Sequence, residues 1–330
     1  MTGPTPDKVM QLITGAWAAS ILGAAARHGL FTALEGRPDG AEAIAKQVGI
    51  SVRGAQALLD GLTGLGLLTL SGGTYQNTPE ASAFLVKGKP SYLGAMAEVF
   101  LEDFGTWQKL PEAAKTGLPT APHTADVADN PFWHVLVTAI APLSFPVAHM
   151  AAERLALATG GPISWLDVGG GSGVWSAAWL GVNRQATGYQ LDWPNVNAIG
   201  RDFVARFGVA DRFKTIDGDF HTTDFGAAKY DYAIYSHIAH QEAPAGNVTN
   251  FRKFRKAINP GGTLVVNDFI LNDDRTGNPF AMMFASQMLV VTKEGFTYRQ
   301  ADYRSWLTEA GFKSVEIVPT PTPATFVLAK

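Results

Sequence analysis

The chain has 330 residues, of which 46% are hydrophobic and 17% charged, enough apolar material for one large core or two ordinary ones. Its formal net charge of −3 leaves no excess of cations for a broad phosphate-binding face, which argues against nucleic acid as a partner. The absence of cysteine excludes disulfides, thiolate metal sites and a cysteine nucleophile. Because no signal-peptide pattern or membrane-length apolar run occurs in the sequence, we expect a cytoplasmic protein with no membrane partner.

The first half of the chain is predominantly helical by its apolar periodicity. Helical spacing covers residues 8–34, 41–48 and 52–67, with Ser51 as an N-cap, and a glycine turn at 71–73 joins two short strands. Three helices followed by a hairpin predict a winged-helix arrangement. Residues 91–117 and 131–157 are further helical stretches, separated by a Pro- and Thr-containing loop at 118–130 that we interpret as a mobile cover.

The pattern changes near Gly160-Gly161-Pro162, where we place a domain boundary. Residues 1–160 are predicted to form a helical domain and residues 161–330 an α/β domain. In the latter, apolar runs alternate with helices at 163–168, 186–191, 213–216, 230–235 and 263–269, and two more strands follow at 315–318 and 325–329. That alternation predicts a doubly wound, Rossmann-like parallel sheet.

A glycine-rich turn follows the first of these strands, in the order Asp-Val-Gly-Gly-Gly-Ser-Gly over residues 167–173. Glycine lets the backbone bend tightly, and the next helix offers free N–H groups to a ligand. The spacing is not the G-x-G-x-x-G of dinucleotide sites, and no Gly-Lys-Ser or Gly-Lys-Thr of a phosphate loop is present. A D-x-G-x-G-x-G turn fits a ligand that carries an amino acid, which we expect to contact Asp167, Gly169, Gly170 and Gly171.

Two further strand ends complete a predicted nucleotide site. Asp192 lies about 20 residues after the glycine turn, where a carboxylate can accept both ribose hydroxyls, and Trp193 adjoins it. Asp219 and Phe220 follow the third strand and offer an acceptor and an aromatic face to an adenine. The carboxyl ends of neighbouring parallel strands line one crevice, so these residues are predicted to converge.

Together these segments resemble the class I methyltransferases of the plant and bacterial O-methyltransferase type, related to caffeate and hydroxyindole methyltransferases. The resemblance covers nearly the whole chain. It implies S-adenosyl-L-methionine as cofactor, S-adenosyl-L-homocysteine as product, and a further cofactor contact at Ser236. It also implies a seven-stranded sheet with the last strand antiparallel, a winged-helix domain that pairs two chains into a homodimer, and a small-molecule acceptor in secondary metabolism.

The resemblance places the family's general base at His240 and one of its two orienting acids at Asp268. A neutral imidazole can remove the proton of a phenol or enol, typically a gain of about 10² to 10⁴. The second acid is not matched, because residues 295–297 read Gly-Phe-Thr and Glu294 is out of register. Methylation at oxygen is therefore favoured, and carbon and nitrogen acceptors remain open.

Aromatic, methionine and histidine side chains supply the candidate acceptor contacts. They are Trp107, Phe132, Trp133, His237, Met283, Phe284 and Met288. Such side chains suit a planar apolar substrate, although the same residue types also form ordinary cores. His237, His240 and Glu242 match no zinc pattern, so no metal is expected.

Three other functions are alternatives for a chain of this pattern. A DNA-binding regulator would need cations on its recognition helix, yet helix 52–67 has Arg53 as its only cation and also carries Asp60. A nicotinamide dehydrogenase would need the missing third glycine. A protein that binds the cofactor without transferring its methyl group is compatible with the unmatched second acid.

Overall fold

The structure, a computed structural model, describes residues 3–121 and 131–330, without the side chains at 131 and 132. Most of the predicted cover at 118–130 and the side chain of Phe132 therefore lie outside the described residues. The chain divides into two compact units, Met1–Gly105 and Thr106–Lys330.

The first unit contains seven helices and one hairpin in its described part. These are α1 (Asp7–Ile13), α2 (Gly15–His28), α3 (Leu30–Ala33), α4 (Ala41–Val48), α5 (Val52–Gly64), β1 (Leu68–Ser71), β2 (Thr74–Asn77), α6 (Pro79–Phe84) and α7 (Gly94–Glu102). The side chain of Ser51 accepts from Gly54 N at the start of α5, as predicted. The helices and the antiparallel β1–β2 hairpin pack around a core that includes Phe31, Ile44 and Leu59.

Several predicted long helices are interrupted. The stretch 8–34 is three helices because Thr14 leaves helical geometry and Gly29 adopts φ +73°. The stretches 91–117 and 131–157 are likewise broken. Within the described ranges no single helix is long and apolar enough to cross a membrane, although two bent pairs, Asp7–Ile13 with Gly15–His28 and Trp133–Ala139 with Ala141–Arg154, meet the length and composition test together.

The second unit holds the sheet and the helices that cover it. Helix α8 (Phe104–Trp107) spans the division. It is followed by α9 (Leu110–Thr116), α10 (Pro131–Ala139), α11 (Ala141–Arg154), β3 (Ser164–Val168), α12 (Val174–Val182), β4 (Thr187–Asp192), α13 (Pro194–Ala205), β5 (Phe213–Asp217), β6 (Tyr230–Ser236), α14 (Pro244–Ala257), β7 (Ile258–Asp268), α15 (Pro279–Val291), α16 (Gln300–Glu309), β8 (Val315–Pro319) and β9 (Thr325–Ala329).

The seven strands form one sheet in the order β5-β4-β3-β6-β7-β9-β8. The pairs from β5 to β7 are parallel, and β9 is antiparallel to both of its neighbours, which confirms the predicted fold class. One apolar cluster covers each face, one around Tyr235 and Phe254 and the other around Trp165 and Trp179. The order in which successive strands are added to the sheet reverses between β3 and β6, and because β3 to β7 are parallel, their carboxyl ends meet at one edge of the sheet.

The division between the units differs from the boundary predicted near residue 160. Helix α11 packs on α12, and Trp179 Nε1 of α12 donates to Ala148 O of α11 at 2.9 Å. Helix α11 therefore packs with the sheet, within the unit that begins at Thr106.

Candidate active site

The glycine turn after β3 has the backbone that its sequence predicts. Gly169, Gly171 and Gly173 adopt φ values of +67°, +58° and +73°, a region in which other residues are strained. At Gly170 an added Cβ would lie 2.6 Å from Gln190 Oε1, so the turn leaves no room there for a larger residue. Helix α12 begins directly after Gly173. The turn therefore needs glycine for both conformation and space.

A buried carboxylate, that of Asp167, precedes this turn. Asp167 is buried, and neither of its oxygens has a hydrogen bond among the described residues. The Oε1 of Gln190 is similarly unpartnered. Burial, and then the charge of Asp192, raises the pKa of Asp167 well above its usual range. Such buried acceptors are costly unless a donor reaches them, and the ammonium of an amino-acid-bearing ligand meets that requirement.

Asp192 ends β4 beside the same turn. Its Oδ2 accepts from Gly171 N at 2.9 Å and its Oδ1 accepts from Trp193 N at 2.8 Å. Burial raises the pKa of Asp192 to about 6, although these two N–H groups oppose the shift. The carboxylate is thus held in one orientation at the sheet edge, the position predicted for a ribose contact.

Asn197 joins this strand end to the next one. Its Nδ2 lies 2.9 Å from Asp192 O, 2.9 Å from Ile216 O and 2.8 Å from Asp217 Oδ1. Its Oδ1 accepts from Gln190 Nε2 at 3.1 Å. Neither Gln190 nor Asn197 was predicted as a site residue. A glutamine inside an otherwise apolar strand is the signal that identifies the first of them.

The turn after β5 carries Asp219 and Phe220. The ring of Phe220 stacks on His221 with centroids 4.2 Å apart and meets Tyr235 edge-on at 6.4 Å. Lys253 of α14 donates to the carbonyl oxygen of Phe220. The turn is therefore fixed from two sides, and it lies beside β4 through the β4–β5 pairing.

At the end of β6, Ser236 and His237 face the last residues of β7. Ser236 Oγ accepts from Asn267 Nδ2 at 3.0 Å, and the same nitrogen lies 3.0 Å from His237 Nε2. His237 has φ +57°, a left-handed conformation that is uncommon outside glycine and is often found at functional sites. Its ring lies 4.5 Å from Phe269.

His240 and Asp268 form a buried pair. His240 Nδ1 lies 2.6 Å from Asp268 Oδ1, and His240 N donates to Oδ2 at 3.0 Å. Two more donors reach the carboxylate, Phe269 N at 2.8 Å and Tyr303 OH at 3.0 Å. Burial alone would raise the pKa of Asp268, but His240 and then His237 outweigh it and hold the pKa well below its usual range. Tyr303 was not among the predicted site residues.

The position of the unmatched acid is occupied by Thr297, which is fully buried. Its Oγ1 has no hydrogen bond among the described residues, whereas the preceding N–H, that of Phe296, donates to His240 O at 2.8 Å. The segment therefore supports the main chain at His240 rather than its imidazole. Asp268 is left as the acid that contacts the ring.

Aromatic rings surround His240. Phe284 of α15 meets it edge-on at 4.9 Å, and Phe269 is stacked at 6.2 Å. The other predicted acceptor contacts differ in exposure: Trp107 and Trp133 are half-buried, Met283 is 64% exposed and Met288 is buried. The structure thus brings His237 and Phe284 to His240, and the roles of Trp107, Trp133 and Met283 stay predictions.

The three side chains that the sequence analysis considered as metal ligands do not come together. Glu242 lies against His221, with Oε1 3.0 Å from His221 Nε2. Within the described part of the chain, the set with metal-compatible spacing is instead His237, His240 and Asp268, whose donor atoms lie within 4.8 Å of one another. In that set His240 Nδ1 is already hydrogen bonded to Asp268, and we assign no metal to it.

Comparisons with known proteins identify matches over most of the chain. The family model of the O-methyltransferase domain matches residues 150–313, and that of the O-methyltransferase dimerisation domain matches residues 10–87. The 3-hydroxy-5-methyl-1-naphthoate 3-O-methyltransferase of Streptomyces sahachiroi is 30% identical over 96% of this chain and 92% of its own length. The tetracenomycin polyketide synthesis 8-O-methyltransferase of Streptomyces glaucescens is 28% identical over 98% and 96%. The L-tyrosine C(3)-methyltransferase of Streptomyces lavendulae is 26% identical over 94% and 88%.

Solved structures are similar along the whole chain. A candidate O-methyltransferase of Nostoc punctiforme has a TM-score of 0.91 at 26% identity, with 99% of each chain covered. Human N-acetylserotonin methyltransferase, solved in complex with S-adenosylmethionine, has a TM-score of 0.87 at 21% identity and covers 100% of this chain and 98% of its own. At that identity the human structure shows likeness of fold.

Proposed function

The chain belongs to the S-adenosylmethionine-dependent O-methyltransferase family of secondary metabolism, and we propose that it methylates a hydroxyl oxygen of a small aromatic or enolic acceptor with His240 as general base. The observation that carries this proposal is the buried His240–Asp268 pair within a shell of aromatic rings.

The match to the dimerisation-domain model indicates a homodimer. Exposed apolar residues of α1 and α2, such as Leu12 and Trp17, are consistent with a paired surface.

The proposed cofactor site is formed by the three strand ends. The unpartnered carboxylate of Asp167 and the close-fitting glycines receive the amino-acid part of the cofactor, while Asp192 receives the ribose. Asp219 and Phe220 receive the adenine, and Ser236 adjoins them at the end of β6. When bound, S-adenosylmethionine supplies an electrophilic methyl group on sulfonium.

His240 is suited to take the acceptor's proton at Nε2. Its Nδ1 is engaged by Asp268 Oδ1, which fixes the ring and stabilises the imidazolium that forms on proton uptake. The proton then resides on Nε2, and the acceptor oxygen is left as the nucleophile. Positioning the acceptor in line for transfer contributes the rest of the acceleration.

The acceptor's planar shape is inferred from the rings that surround His240. The rings of Phe269 and Phe284 meet edge-on with centroids 4.7 Å apart, and such ring faces and edges favour a flat apolar molecule. We include Trp107, Trp133, His237 and Met283 as proposed contacts of the acceptor. The two O-methyltransferase relatives named above act on polycyclic compounds by their names, which supports an aromatic acceptor.

A methyl acceptor other than oxygen is the second candidate. The related tyrosine methyltransferase methylates carbon by its name, and this chain lacks the second orienting acid at Thr297. If carbon or nitrogen is the acceptor, the enzyme accelerates transfer mainly by positioning the acceptor, and loss of the His240 side chain lowers kcat only slightly.

A methyl-transfer assay distinguishes these functions. The purified protein is incubated with methyl-labelled S-adenosylmethionine and a panel of naphthols, hydroxynaphthoates, hydroxyindoles, tyrosine and aromatic amines, and the methylated atom is identified by NMR. We expect O-methylated phenols. His240→Ala should lower kcat by about 10² to 10⁴ while S-adenosylhomocysteine affinity is unchanged.

The matched control is His149→Ala, because His149 is an exposed histidine that pairs with Glu153 on α11 at 3.4 Å. It should behave as the wild type. Methylation at carbon or nitrogen would favour the second candidate, and equal loss of turnover and cofactor affinity in His240→Ala would contradict the assignment of the base. Binding without turnover across the panel would indicate a protein that has lost methyl transfer.

A further inference from the structure

His221, which the function proposed above leaves unused, makes a hydrogen bond at each ring nitrogen. Its Nδ1 lies 2.8 Å from Asp219 Oδ1, and its Nε2 lies 3.0 and 3.1 Å from the two oxygens of Glu242. Carboxylates only accept, and an imidazole carries N–H on both nitrogens only when it is protonated. Only the imidazolium form of His221 can therefore donate a hydrogen bond to both carboxylates at once.

The two carboxylates belong to different parts of the site. Asp219 lies in the turn proposed to bind adenine. Glu242 follows the turn that carries His240, and its main-chain oxygen accepts from Tyr298 OH at 2.6 Å. The Glu242 side chain is only 14% exposed, so the contact is shielded on that side. His221 thus connects the adenine turn to a segment that is itself fixed in place.

Other charged groups lie near the contact among the described residues. Lys253 of α14 donates to the carbonyl oxygen of His221 at 3.3 Å. Burial lowers the pKa of Lys253, and the charges of Asp224 and Asp219 only partly oppose that shift. Burial raises the pKa of Glu242. His221 opposes that shift, and the negative charges of Asp219 and Glu294 add to it. For His221, partial burial opposes the charged form, but Glu242 and Asp219 outweigh burial and raise the pKa.

One oxygen of Asp219 remains for a ligand. Oδ1 of Asp219 accepts from the main-chain N–H of His221 at 2.9 Å and from Nδ1 of the His221 ring at 2.8 Å. In the part of the chain that the structure describes, no hydrogen bond reaches Oδ2. That oxygen is the one that can accept from the amino group of an adenine.

We propose that protonated His221 is a positioning residue for the adenine half of the cofactor, because it ties Asp219 to Glu242 and so holds Oδ2 of Asp219 ready for the ligand. This rests on the proposed cofactor site. When His221 loses its proton, it keeps one N–H and can donate to one carboxylate only. The two carboxylates then repel each other across it, the adenine turn loosens, and cofactor affinity falls while kcat at saturating cofactor does not.

The test measures binding of S-adenosylhomocysteine by calorimetry between pH 7 and 9. The pair is exposed on the side of His221, and exposed ion pairs are worth roughly 0.2–1 kcal/mol, so the wild-type Kd should rise about 1.5- to 5-fold as His221 deprotonates. His221→Gln should bind S-adenosylhomocysteine more weakly than the wild type at pH 7. The ligand's own amine titrates in both proteins, and once that common contribution is subtracted, the affinity of the variant should not depend on pH. Glu242→Gln should move the change to lower pH, because one of the two charges that favour the imidazolium is gone.

The control is His149→Gln, which removes an exposed histidine paired with a single glutamate on α11 and should follow the wild type. NMR titration of the His221 ring, identified by comparison with His221→Gln, should give a pKa above the ordinary value that falls in Glu242→Gln.

Identical pH dependence of Kd in wild type and His221→Gln, or an ordinary pKa for His221, would overturn the inference while leaving the proposed function intact. A protein that binds no S-adenosylhomocysteine at any pH would overturn the proposed function, and the inference with it.

Discussion

The substitution Asp268→Asn tests how the proposed base is held. Asparagine has nearly the same size as aspartate but keeps one acceptor oxygen in place of two. Four donors reach the Asp268 carboxylate, two at each oxygen. In the variant the donors on one side face an NH₂ group, and a buried donor without a partner costs about 1–3 kcal/mol. We therefore expect the free energy of unfolding to fall by about 2–4 kcal/mol, of which the rotatable Tyr303 hydroxyl can recover part.

The effect on catalysis should be larger than the effect on stability. Without the carboxylate, His240 Nδ1 loses its charged partner at 2.6 Å, and the imidazolium formed on proton uptake is no longer stabilised. We expect kcat to fall by about 10² to 10⁴, the usual contribution of a general base, with S-adenosylhomocysteine affinity unchanged. Initial rates with labelled cofactor and calorimetric titration of the product measure the two quantities.

The matched control is Asp231→Asn, at the opposite edge of the sheet. Asp231 also accepts a backbone N–H, that of Ser164 at 2.8 Å, and an amide, that of Asn259 at 2.9 Å. It should lower stability without lowering kcat. A loss of less than about threefold in kcat for Asp268→Asn, well below the range for a general base, would refute the reasoning, as would a parallel loss in the control.

The pH dependence of the stability loss has a definite sign. The pKa of Asp268 is depressed below its ordinary value of 3.8, so its stabilising contribution is complete above that value and is lost only as pH falls through the lowered pKa. The difference in melting temperature between the wild type and Asp268→Asn should therefore be constant above about pH 5 and shrink in stronger acid. A difference that shrinks near neutral pH would contradict this assignment.

Three more predictions concern the same edge of the sheet. Asp192→Ala removes the proposed ribose acceptors and should weaken S-adenosylhomocysteine binding about 10- to 100-fold in calorimetry, whereas unchanged affinity would mean that the ribose lies elsewhere. Because burial raises the pKa of Asp192 from 3.8 to about 6, the unfolded chain releases this proton first. The stability of the ligand-free protein, followed by thermal melting, should then decline as pH rises from about 4 to 6, and Asp192→Asn should make that decline smaller, the remainder coming from buried Asp167, whose pKa is also raised. Tyr303→Phe deletes one donor to Asp268 and should lower kcat about 2- to 10-fold with cofactor affinity unchanged, and an unaltered kcat would show that Tyr303 does not support the pair.

The strand ends were predictable because their signals are local. An apolar strand followed by glycines or by an acidic residue occurs three times, and each occurrence lies at the carboxyl edge of the sheet between β3 and β5. Strand β9 was predicted with its observed bounds, Thr325–Ala329. Helix breaks were harder, since Thr14 is an ordinary helical residue and no proline marks the interruption there.

The supporting polar residues could not be found from local pattern alone. Tyr303 lies on α16 in a stretch that looks amphipathic, and its hydroxyl reaches Asp268 at the end of β7 from 35 residues further along the chain. His221 follows the adenine turn, but Glu242, its second partner, is on another segment of the chain. These roles depend on contacts between distant residues, which become visible once the sheet order is fixed.

The cofactor site is tested most directly by the melting temperature of the purified protein with S-adenosylhomocysteine, with NADH as the comparison ligand. A ligand of the folded state at about 100 times its Kd adds roughly 2.7 kcal/mol, which gives a clear upward shift. We predict that shift with S-adenosylhomocysteine and not with NADH. No shift at saturating S-adenosylhomocysteine, or an equal shift with NADH, would contradict the assignment of segment 167–173 and Asp192 to this cofactor.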